Sequence, residues 1–329
     1  MVDYFGQKIK TMENQKIDIS IIIPVYNEEE NVKELFSKIE GVLNRMQKTH
    51  EVIFIDDGSI DKTFDILKEL SEKNKQLKVI RFRRNFGKSV ALTAGFEHVQ
   101  GEFVITMDGD LQDDPEEIPD FLEKIKEGYD LIVGWQIGKY RKMIRKKIAS
   151  KIFNMLTNRL TGVKVHDSNC CFKIFRNEVV KNIKLHGELH RYIPALAHWQ
   201  GYKVSEMKVK YQPRKHGRSK YGSMRLIKGL LDLITVKFLM AYLTRPIHFF
   251  GQAGMFLLFL GFLSGAATLI YKFVFGVHLN TTQLPLLTVL FIVVGIQFIL
   301  MGILAEILIR IYYEPRGKSP YSIKEKINL

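Results

Sequence analysis

The sequence is poor in cysteine and has no hydrophobic run near its start. Both features limit the cellular compartments that the sequence indicates. Its only two cysteines, Cys170 and Cys171, are neighbours in the chain. Adjacent cysteines rarely form an unstrained disulfide, so nothing here indicates an oxidising compartment. Residues 1–16 are polar and lack the apolar centre of a secretory signal peptide, and we interpret them as an N-terminal tail.

The chain also lacks the pattern of a nucleic-acid-binding protein, although it is strongly basic. Its formal net charge is +14 over 329 residues, which suits either nucleic acid or an anionic membrane surface. No basic stripe is interleaved with aromatic residues, as it is in proteins that bind single strands. The apolar runs of the C-terminal third favour the lipid bilayer as partner, and we expect no nucleic acid.

Two long uncharged segments occupy that C-terminal third. Residues 249–271 and 284–304 carry no charged side chain, and each is close to the ~20 residues needed to cross a bilayer. One lysine lies between them, whereas five lysines and arginines follow the second segment. The positive-inside rule therefore predicts a multi-pass protein of the inner (plasma) membrane. Residues 246–312 would form two transmembrane helices, with the preceding domain and the tail 313–329 in the cytoplasm.

Short apolar strands alternate with amphipathic helices in residues 17–222. The predicted strands are residues 17–23, 51–55, 77–82, 104–107 and 130–134. This alternation is typical of βαβ units and predicts an α/β, Rossmann-like domain with a mostly parallel sheet. The polar motifs then fall at the carboxyl ends of strands, along the edge where ligands of open α/β sheets bind.

The most informative strand end is Asp108-Gly109-Asp110-Leu111-Gln112, which follows the apolar strand 104–107. Two carboxylates and an amide form an all-oxygen set that suits Mg²⁺ or Mn²⁺, and Gly109 removes a side chain where a ligand comes close. An ion with few protein ligands usually completes its shell with substrate phosphates. An isolated Asp-x-Asp is more often a solvated turn, so a metal site requires a nucleotide site elsewhere in the chain.

Neighbouring strand ends supply groups suited to a nucleotide. Asn27 and Glu28 follow the first strand, Asp57 follows the second, and Lys88 begins the helix after the third. Acidic groups can accept hydrogen bonds from a base or ribose, and Lys88 at a helix N-terminus can offset phosphate charge. The segment around Lys88 is no P-loop, because position 82 is Phe where that motif requires Gly.

Two amphipathic stretches are predicted to lie at the membrane surface. Residues 139–162 combine many lysines and arginines with one apolar face, which favours a membrane-surface helix over a soluble helix packed on the sheet. Residues 223–245 show a second amphipathic pattern, and we expect this juxtamembrane helix to lie in the plane of the lipid headgroups.

The loop 211–222, between these stretches, is densely cationic. Arg214 can bind phosphate oxygens bidentately, Lys220 adds a point charge and Ser219 adds a hydroxyl donor. The loop is therefore a candidate phosphate clamp. The alternative is a polybasic anchor for anionic lipid headgroups, and one loop can serve in both ways.

Four motifs together resemble those of a known enzyme family. They are Pro24-Val25-Tyr26-Asn27-Glu28, Asp56-Asp57-Gly58-Ser59, Arg84-Asn85-Phe86-Gly87-Lys88 and the Asp108–Gln112 motif. The set resembles inverting GT-A glycosyltransferases of family 2, in particular the polyprenyl-phosphate glycosyltransferases. These include bactoprenol glucosyltransferases and dolichol-phosphate mannose synthases, and the two predicted spans fit the bactoprenol branch.

The resemblance implies roles for single residues. Pro24, Tyr26, Asn27, Glu28, Asp57 and Lys88 would bind the nucleotide, and Asp108, Asp110 and Gln112 would hold Mg²⁺ or Mn²⁺ on its diphosphate. The spacing Arg214-x-x-Gly-x-Ser219-Lys220-Tyr is similar to the family's acceptor motif. The family, together with the small-residue pair Gly261 and Gly265, also implies a homotetramer.

A further segment, His166 to Lys173, resembles the family's Asp-x-x-Cys-Gly-Phe-Lys sequence. Asp167 takes its acidic position and is expected to orient the acceptor or a sugar hydroxyl. Cys171 replaces the usual Gly, or the acidic residue of some bactoprenol members, which argues against a catalytic base there. His186 and His190 lack the His-Glu-x-x-His pattern and are interpreted as structural.

The predicted reaction is inverting transfer of a sugar from a nucleotide diphosphate to polyprenyl (undecaprenyl) phosphate. The acceptor's second pKa is about 6, so it is largely ionised at neutral pH and needs no strong base. Asp110, through the metal, and Asp167 are the expected catalytic residues. The resemblance favours UDP-glucose or UDP-N-acetylglucosamine as donor, with GDP-mannose as the alternative.

Two other classes of function fit parts of the sequence. A processive polysaccharide synthase would share the core, but it usually shows a Gln-x-x-Arg-Trp motif and more spans, and neither occurs here. A non-catalytic membrane module that senses a nucleotide is disfavoured by the intact acidic cluster at Asp108–Gln112.

Overall fold

The computed structural model describes residues 17–137, 154–155, 157–183, 185, 189–213, 233, 246–276, 278, 282–313 and 321–329. The chain divides into two units, one of Met1–Leu233 with Ser319–Leu329 and one of Ile234–Lys318. Arg214, Ser219 and Lys220 of the predicted acceptor loop lie outside the described residues. So does the predicted helix 223–245, except for residue 233. Of the predicted basic helix 139–162, residues 154–155 and 157–162 are described, and all of these except residue 162 are helical.

Among the described residues, eight strands form one mixed sheet in the first unit. They are β1 (Ile19–Val25), β2 (His50–Asp56), β3 (Leu77–Phe82), β4 (Phe103–Thr106), β5 (Leu131–Ile137), β6 (Lys173–Arg176), β7 (Val204–Lys210) and β8 (Ile323–Ile327). Their order is β7-β5-β6-β4-β1-β2-β3-β8. Only β6 and β8 run antiparallel to their neighbours within this sheet, which confirms the predicted mostly parallel α/β architecture.

Helices connect these strands. They are α1 (Val32–Met46), α2 (Thr63–Lys73), α3 (Lys88–His98), α4 (Ile118–Lys126), α5 (Asn177–Asn182) and α6 (Ile193–Trp199), with 3₁₀ turns at Pro115–Glu117 and Leu189–Tyr192. Of these helices, α1, α2 and α4 are clearly amphipathic. The buried side chains of α1 recur at helical spacing, from Leu35 to Leu43. The central strands are mostly apolar, as strands within a parallel sheet should be, and Ile21, Ile22 and Phe54 are fully buried.

The last strand was not predicted, because its alternating lysines and apolar residues read as a charged tail. β8 pairs antiparallel with β3 and covers what would otherwise be an open sheet edge. The ring of Tyr321 stacks on Phe82 with centroids 5.1 Å apart. Asn328 Nδ2 donates to the carbonyl oxygens of Ser71 at 3.0 Å and Leu77 at 2.9 Å. The C-terminal residues therefore belong to the sheet, within the segment that we predicted as a tail.

The second unit consists of two long apolar helices that pack against each other, α7 (Pro246–Phe273) and α8 (Leu284–Tyr313). The stretches His248–Phe273 and Leu284–Leu308 are both long and apolar enough to cross a membrane. Phe256 and Phe262 are 61% and 72% exposed. Large outward-facing apolar side chains suit a lipid environment better than water.

Small residues allow α7 and α8 to approach closely. A Cβ on Gly254 would lie 2.7 Å from the carbonyl oxygen of Gly295, and one on Gly261 would lie 2.9 Å from Ile292 Cγ1. Gly265 faces Thr288 in the same way, at 3.3 Å. The structure thus places Gly261 and Gly265 in packing within the chain, and the oligomer contact that we predicted for them stays a prediction.

Candidate active site

The carboxyl ends of β1, β2, β3 and β4 lie side by side, because these four strands are parallel neighbours. Backbone hydrogen bonds continue past the strands, from Asp57 N to Val25 O at 2.9 Å and from Met107 N to Ile22 O at 3.1 Å. The motifs that follow β1, β2 and β4 therefore meet at one edge of the sheet, as predicted from the sequence.

The turn after β1 is held by the turn after β2. Asn27 adopts a left-handed backbone conformation with φ 51°, which asparagine tolerates better than most residues. Its backbone N–H donates to Ser59 Oγ at 2.9 Å, and its side-chain Oδ1 accepts from Ile60 N at 3.0 Å. Glu28 N donates to Thr63 Oγ1 at 2.8 Å. Asn27 thus holds the two turns together, beside its predicted role at the nucleotide.

The other residues predicted to bind the nucleoside flank this turn. Pro24 lies within β1, opposite Ile55 of β2, while Tyr26 and Glu28 follow the strand. All three predicted residues are half-buried, so each keeps part of its surface available to a ligand. Glu28 Oε2 also accepts from Asn31 Nδ2 at 2.7 Å, which orients the carboxylate.

Asp57 shapes the loop that leads to Lys88. Its Oδ1 accepts from Phe86 N at 2.7 Å and its Oδ2 accepts from Gly87 N at 2.9 Å. Burial raises the pKa of Asp57 to about 6, although these two backbone donors lower it in part. The carboxylate therefore positions the loop before α3, and its contact with a nucleoside stays a prediction.

The raised pKa of Asp57 predicts a specific dependence of stability on pH. The folded protein binds this proton more tightly than the unfolded chain, whose carboxyl keeps its ordinary pKa of 3.8. The Asp57 contribution to the free energy of unfolding therefore decreases as pH rises from about 4 to about 6 and is level above. The melting temperature of Asp57→Asn minus that of the wild type should rise across this window. Asp65→Asn, an exposed carboxylate of α2, is the control, and a flat Asp57 difference contradicts the assignment.

Gly58 allows this loop to approach the turn after β2. Its φ is +74°, and a Cβ at this position would lie 2.5 Å from the carbonyl carbon of Arg84. Backbone atoms cannot move aside as a flexible side chain can. Only glycine therefore lets the Arg84–Lys88 loop lie against Asp57.

Substitution of Gly58 by Ala should destabilise the protein by about 3 kcal/mol, since it combines an unfavourable φ with overlap of backbone atoms. Gly128→Ala is a matched control, because Gly128 has φ +99° and open space where its Cβ would lie. We expect that control to cost about 1 kcal/mol. Chemical unfolding in detergent measures both values, and equal losses at the two positions would show that the close approach is unimportant.

The turn after β4 brings three carboxylates together. Asp110 and Asp113 are 6% and 3% exposed, whereas Asp108 is half-buried. Lys88 Nζ donates to Asp108 Oδ1, which joins the start of α3 to this turn. Asp113 Oδ2 accepts from Asp108 N at 3.1 Å, and Asp110 Oδ1 accepts from Gln112 N at 3.2 Å. We call residues 108–114 the acidic turn.

The acidic turn is strained and electrostatically crowded. Leu111, which is buried, has φ 60°, a conformation that costs a non-glycine residue on the order of 1–3 kcal/mol. Burial, followed by the charge of Asp108, raises the pKa of Asp113 to about 7. Strain and like charge concentrated in one turn are typical of a functional site.

The acidic turn fits a divalent ion held jointly with a substrate. Among the described residues, no three His, Cys, Asp or Glu side chains form a cluster that could hold a metal by themselves. Asp108, Asp110 and Gln112 offer hard oxygen ligands, which suit Mg²⁺ or Mn²⁺. Two carboxylates and one amide leave room for phosphate oxygens in the shell of the ion. The residues therefore fit a metal that binds together with a nucleotide diphosphate.

The end of β7 docks on this turn. Gln112 Nε2 donates to the hydroxyl of Tyr211 at 3.0 Å, and Gln212 N donates to the backbone oxygen of Gln112 at 3.3 Å. Gln212 Nε2 donates to Asp114 Oδ2 at 2.7 Å. Pro213 is the last described residue before Arg214, the first of the predicted phosphate-binding residues. The fold thus brings Tyr211 and Gln212, the first residues of the predicted acceptor loop, to the acidic turn about a hundred residues away in sequence.

Asp167 lies in the segment that precedes β6. Its Oδ1 accepts from Asn169 N at 3.2 Å, which closes a turn before the paired cysteines. The backbone oxygen of Cys171 then accepts from Thr106 Oγ1 at 2.6 Å, at the end of the strand that carries the acidic turn. Burial raises the pKa of the Cys171 thiol to about 12. The thiol is therefore protonated at neutral pH, which argues against a catalytic-base role for Cys171.

Two buried basic residues lie near the site: Lys173, to which the sequence analysis gave no role, and His190, which it interpreted as structural. Lys173 Nζ donates to the backbone oxygen of Cys170, and burial lowers its pKa. His190 Nδ1 lies 2.9 Å from Ser89 Oγ, one residue from Lys88. Burial, followed by the charge of Lys88, lowers the pKa of His190 well below its ordinary value, so its ring is neutral. His186 lies outside the described residues.

Comparison with known proteins establishes the family. Residues 20–184 match the sequence profile of glycosyl transferase family 2. The dodecaprenyl-phosphate galacturonate synthase of Rhizobium johnstonii is 35% identical over 94% of this chain and 93% of its own. The undecaprenyl-phosphate 4-deoxy-4-formamido-L-arabinose transferase of Shewanella sediminis is 36% identical over 95% of this chain and 93% of its own. The chain belongs to the polyprenyl-phosphate branch of glycosyl transferase family 2.

Solved glycosyltransferases share the fold of this family 2 enzyme. Glucosyl-3-phosphoglycerate synthase from Mycobacterium tuberculosis, in complex with Mn²⁺ and UDP-glucose, gives a TM-score of 0.53 at 14% identity, over 67% of this chain and 80% of its own. The mannosyltransferase of Pyrobaculum calidifontis, in complex with GDP-mannose and Mn²⁺, gives 0.50 at 16% identity, over 69% and 65%. At such low identity the likeness shows the fold alone. It confirms the predicted GT-A fold.

Proposed function

We propose that this glycosyltransferase moves one sugar from a nucleotide diphosphate to a polyprenyl phosphate of the undecaprenyl or dodecaprenyl class. The observation that carries the proposal is the contact of Tyr211 and Gln212 with the acidic turn. Tyr211 and Gln212 are the first residues of the cationic loop. Because of their contact, that loop starts beside the residues that suit a metal–diphosphate. The two relatives described above match along almost the whole chain, and each is named for a polyprenyl phosphate and a sugar.

The names of these relatives favour donors other than the glucose or N-acetylglucosamine that we predicted. One relative is named for galacturonate and the other for 4-deoxy-4-formamido-L-arabinose. We therefore place an acidic or 4-amino-modified sugar, carried on UDP, ahead of UDP-glucose and UDP-N-acetylglucosamine, with GDP-mannose last. The solved neighbour that contains UDP-glucose shows the fold and does not decide the sugar.

Each part of the site would contribute one element of the mechanism. Asp108, Asp110 and Gln112 would hold Mg²⁺ or Mn²⁺, which supplies charge stabilisation for the departing diphosphate. Lys88, at the start of α3, lies close enough to Asp108 to add a positive charge beside it. Developing negative charge on the leaving group is thereby offset, and the bond from C1 to the diphosphate weakens.

The acceptor side would supply the nucleophile. A phosphate oxygen of the lipid attacks C1 from the face opposite the diphosphate and forms the new C1–O bond. The bond from C1 to the diphosphate breaks, its electron pair leaves with the nucleoside diphosphate, and the configuration at C1 is inverted. Arg214, Ser219 and Lys220 would place that phosphate for in-line attack, and Asp167 would orient the acceptor or a sugar hydroxyl. The acceptor is already ionised, so no residue has to remove a proton.

The two long apolar helices support attachment to the membrane that holds the acceptor lipid. We propose that the GT-A domain works at the cytoplasmic face of the inner membrane, because cations follow α8 and are nearly absent from the loop before it. The predicted homotetramer remains part of this proposal. Cross-linking of the detergent-solubilised full chain, followed by mass measurement, tests the tetramer.

A panel of donors tests the proposed reaction. The purified full chain would be incubated with undecaprenyl phosphate, Mn²⁺ and, one at a time, UDP-galacturonate, UDP-4-deoxy-4-formamido-L-arabinose, UDP-glucose, UDP-N-acetylglucosamine and GDP-mannose. We expect a lipid carrying one sugar from one of the first two donors. A polymer would indicate a processive synthase, and donor binding without transfer to lipid would indicate a nucleotide sensor. Either result would refute the proposal.

A further inference from the structure

The carboxamide of Gln112 has two chemically different ends. Its Oε1 can bind a divalent ion, whereas its Nε2 carries two hydrogens and cannot. Because the group is planar, a partner that fixes Nε2 also fixes the direction of Oε1. In this structure the partner of Nε2 is the hydroxyl of Tyr211, 3.0 Å away.

Tyr211 reaches Gln112 from a distant part of the chain and is itself held in place. It follows β7 directly, and β7 pairs with β5 along seven residues, from Val204 to Lys210. On its other side, Gln212 is bound to Asp114 and to the backbone of Gln112. The hydroxyl of Tyr211 is therefore presented by a docked segment, at a fixed position relative to the acidic turn.

We propose that Tyr211 is a positioning residue: its hydroxyl accepts from Nε2 of Gln112 and restrains the carboxamide where Oε1 can serve the divalent ion. This inference rests on the proposed function, since it takes the acidic turn as the site of the metal–diphosphate. Tyr211 lies three residues before Arg214. Tyr211 would therefore orient a metal ligand, and it also begins the loop that would hold the acceptor phosphate.

Loss of the hydroxyl leaves Gln112 free to rotate, so the ion loses one ordered ligand. We expect Tyr211→Phe to weaken binding of Mn²⁺ in the presence of UDP about 3- to 10-fold, the range of one hydrogen bond. Electron paramagnetic resonance of Mn²⁺ measures this without reference to activity. At saturating Mn²⁺ the kcat for transfer should be retained, while the Mn²⁺ concentration for half-maximal rate should rise in proportion.

Tyr202→Phe is the matched control. It removes a tyrosine hydroxyl near the other end of β7, where the group accepts from Asn182 Nδ2 at 2.7 Å and donates to the backbone oxygen of Glu178, so its partners lie outside the acidic turn. We expect Mn²⁺ binding equal to that of the wild type. A change of the same size in both variants would indicate a general effect on folding and would overturn the proposal.

A double-mutant cycle separates action through Gln112 from a direct effect. In a Gln112→Ala background, Tyr211→Phe should cause no further loss of Mn²⁺ affinity. Additive losses, or a Tyr211→Phe protein that binds Mn²⁺ like the wild type, would overturn the positioning role while sugar transfer by the wild type still supports the proposed function. A wild type that transfers sugar without binding Mn²⁺ would overturn the metal site, and the role of Tyr211 with it.

Discussion

Replacement of Asp110 by Asn should reduce kcat/KM for sugar transfer by about 10³-fold or more, because it removes one anionic ligand of the ion that stabilises the leaving diphosphate. Asp110 is 6% exposed, and its Oδ1 accepts from Gln112 N at 3.2 Å. Asparagine keeps a carbonyl oxygen for that hydrogen bond. The turn should therefore persist, and the loss should follow from the missing charge.

The measurement is transfer of radiolabelled sugar to lipid at several Mn²⁺ concentrations. Asp120→Asn serves as the control, because Asp120 is an exposed carboxylate on α4, a few residues beyond the acidic turn. We expect this control to match the wild type. An Asp110→Asn enzyme with undiminished transfer at low Mn²⁺ would contradict the assignment of the metal to this turn.

The strand ends could be predicted from sequence because parallel strands impose a simple geometry. Once β1, β2 and β4 are recognised as buried parallel strands, the motifs that follow them must meet at one edge. The acidic turn and the turn after β1 were found in this way. The resemblance to family 2 enzymes added roles that spacing alone could not assign, such as the binding of phosphate by Arg214.

What sequence reasoning missed depends on contacts between distant segments. Asp57 belongs to a motif that resembles the family's, yet its two carboxylate oxygens accept from Phe86 N and Gly87 N. No local sequence pattern predicts these partners. Tyr211 and Gln212 have no pattern of their own, and their contact with Gln112 arises only when β7 joins the sheet. β8 was not predicted because five residues with alternating lysines resemble a solvated tail. They form a strand only where the open edge of the sheet, at β3, is available to pair with them.

Arg214→Ala should lower kcat/KM for the polyprenyl phosphate about 100-fold, mainly through a higher KM for the lipid. A bidentate, charge-assisted contact with phosphate is among the strongest hydrogen-bonded contacts that a side chain makes, and its loss corresponds to about 3 kcal/mol. Arg214→Lys should recover only part of the loss, since lysine cannot bind two oxygens in one plane. Binding of Mn²⁺–UDP should remain that of the wild type, because this loop would serve the acceptor.

The same loop allows the phosphate clamp to be distinguished from a polybasic membrane anchor. Arg218 lies four residues beyond Arg214 and carries the same charge, but it is no part of the proposed clamp. An anchor acts through summed charge. If the loop were only an anchor, Arg218→Ala would impair transfer as much as Arg214→Ala, and added salt would reduce the two effects in parallel. A clamp acts through geometry, so Arg214→Ala should be far more damaging in detergent, where no anionic surface is present. Equal losses would assign the loop to the membrane surface and leave the acceptor phosphate to be bound by other residues.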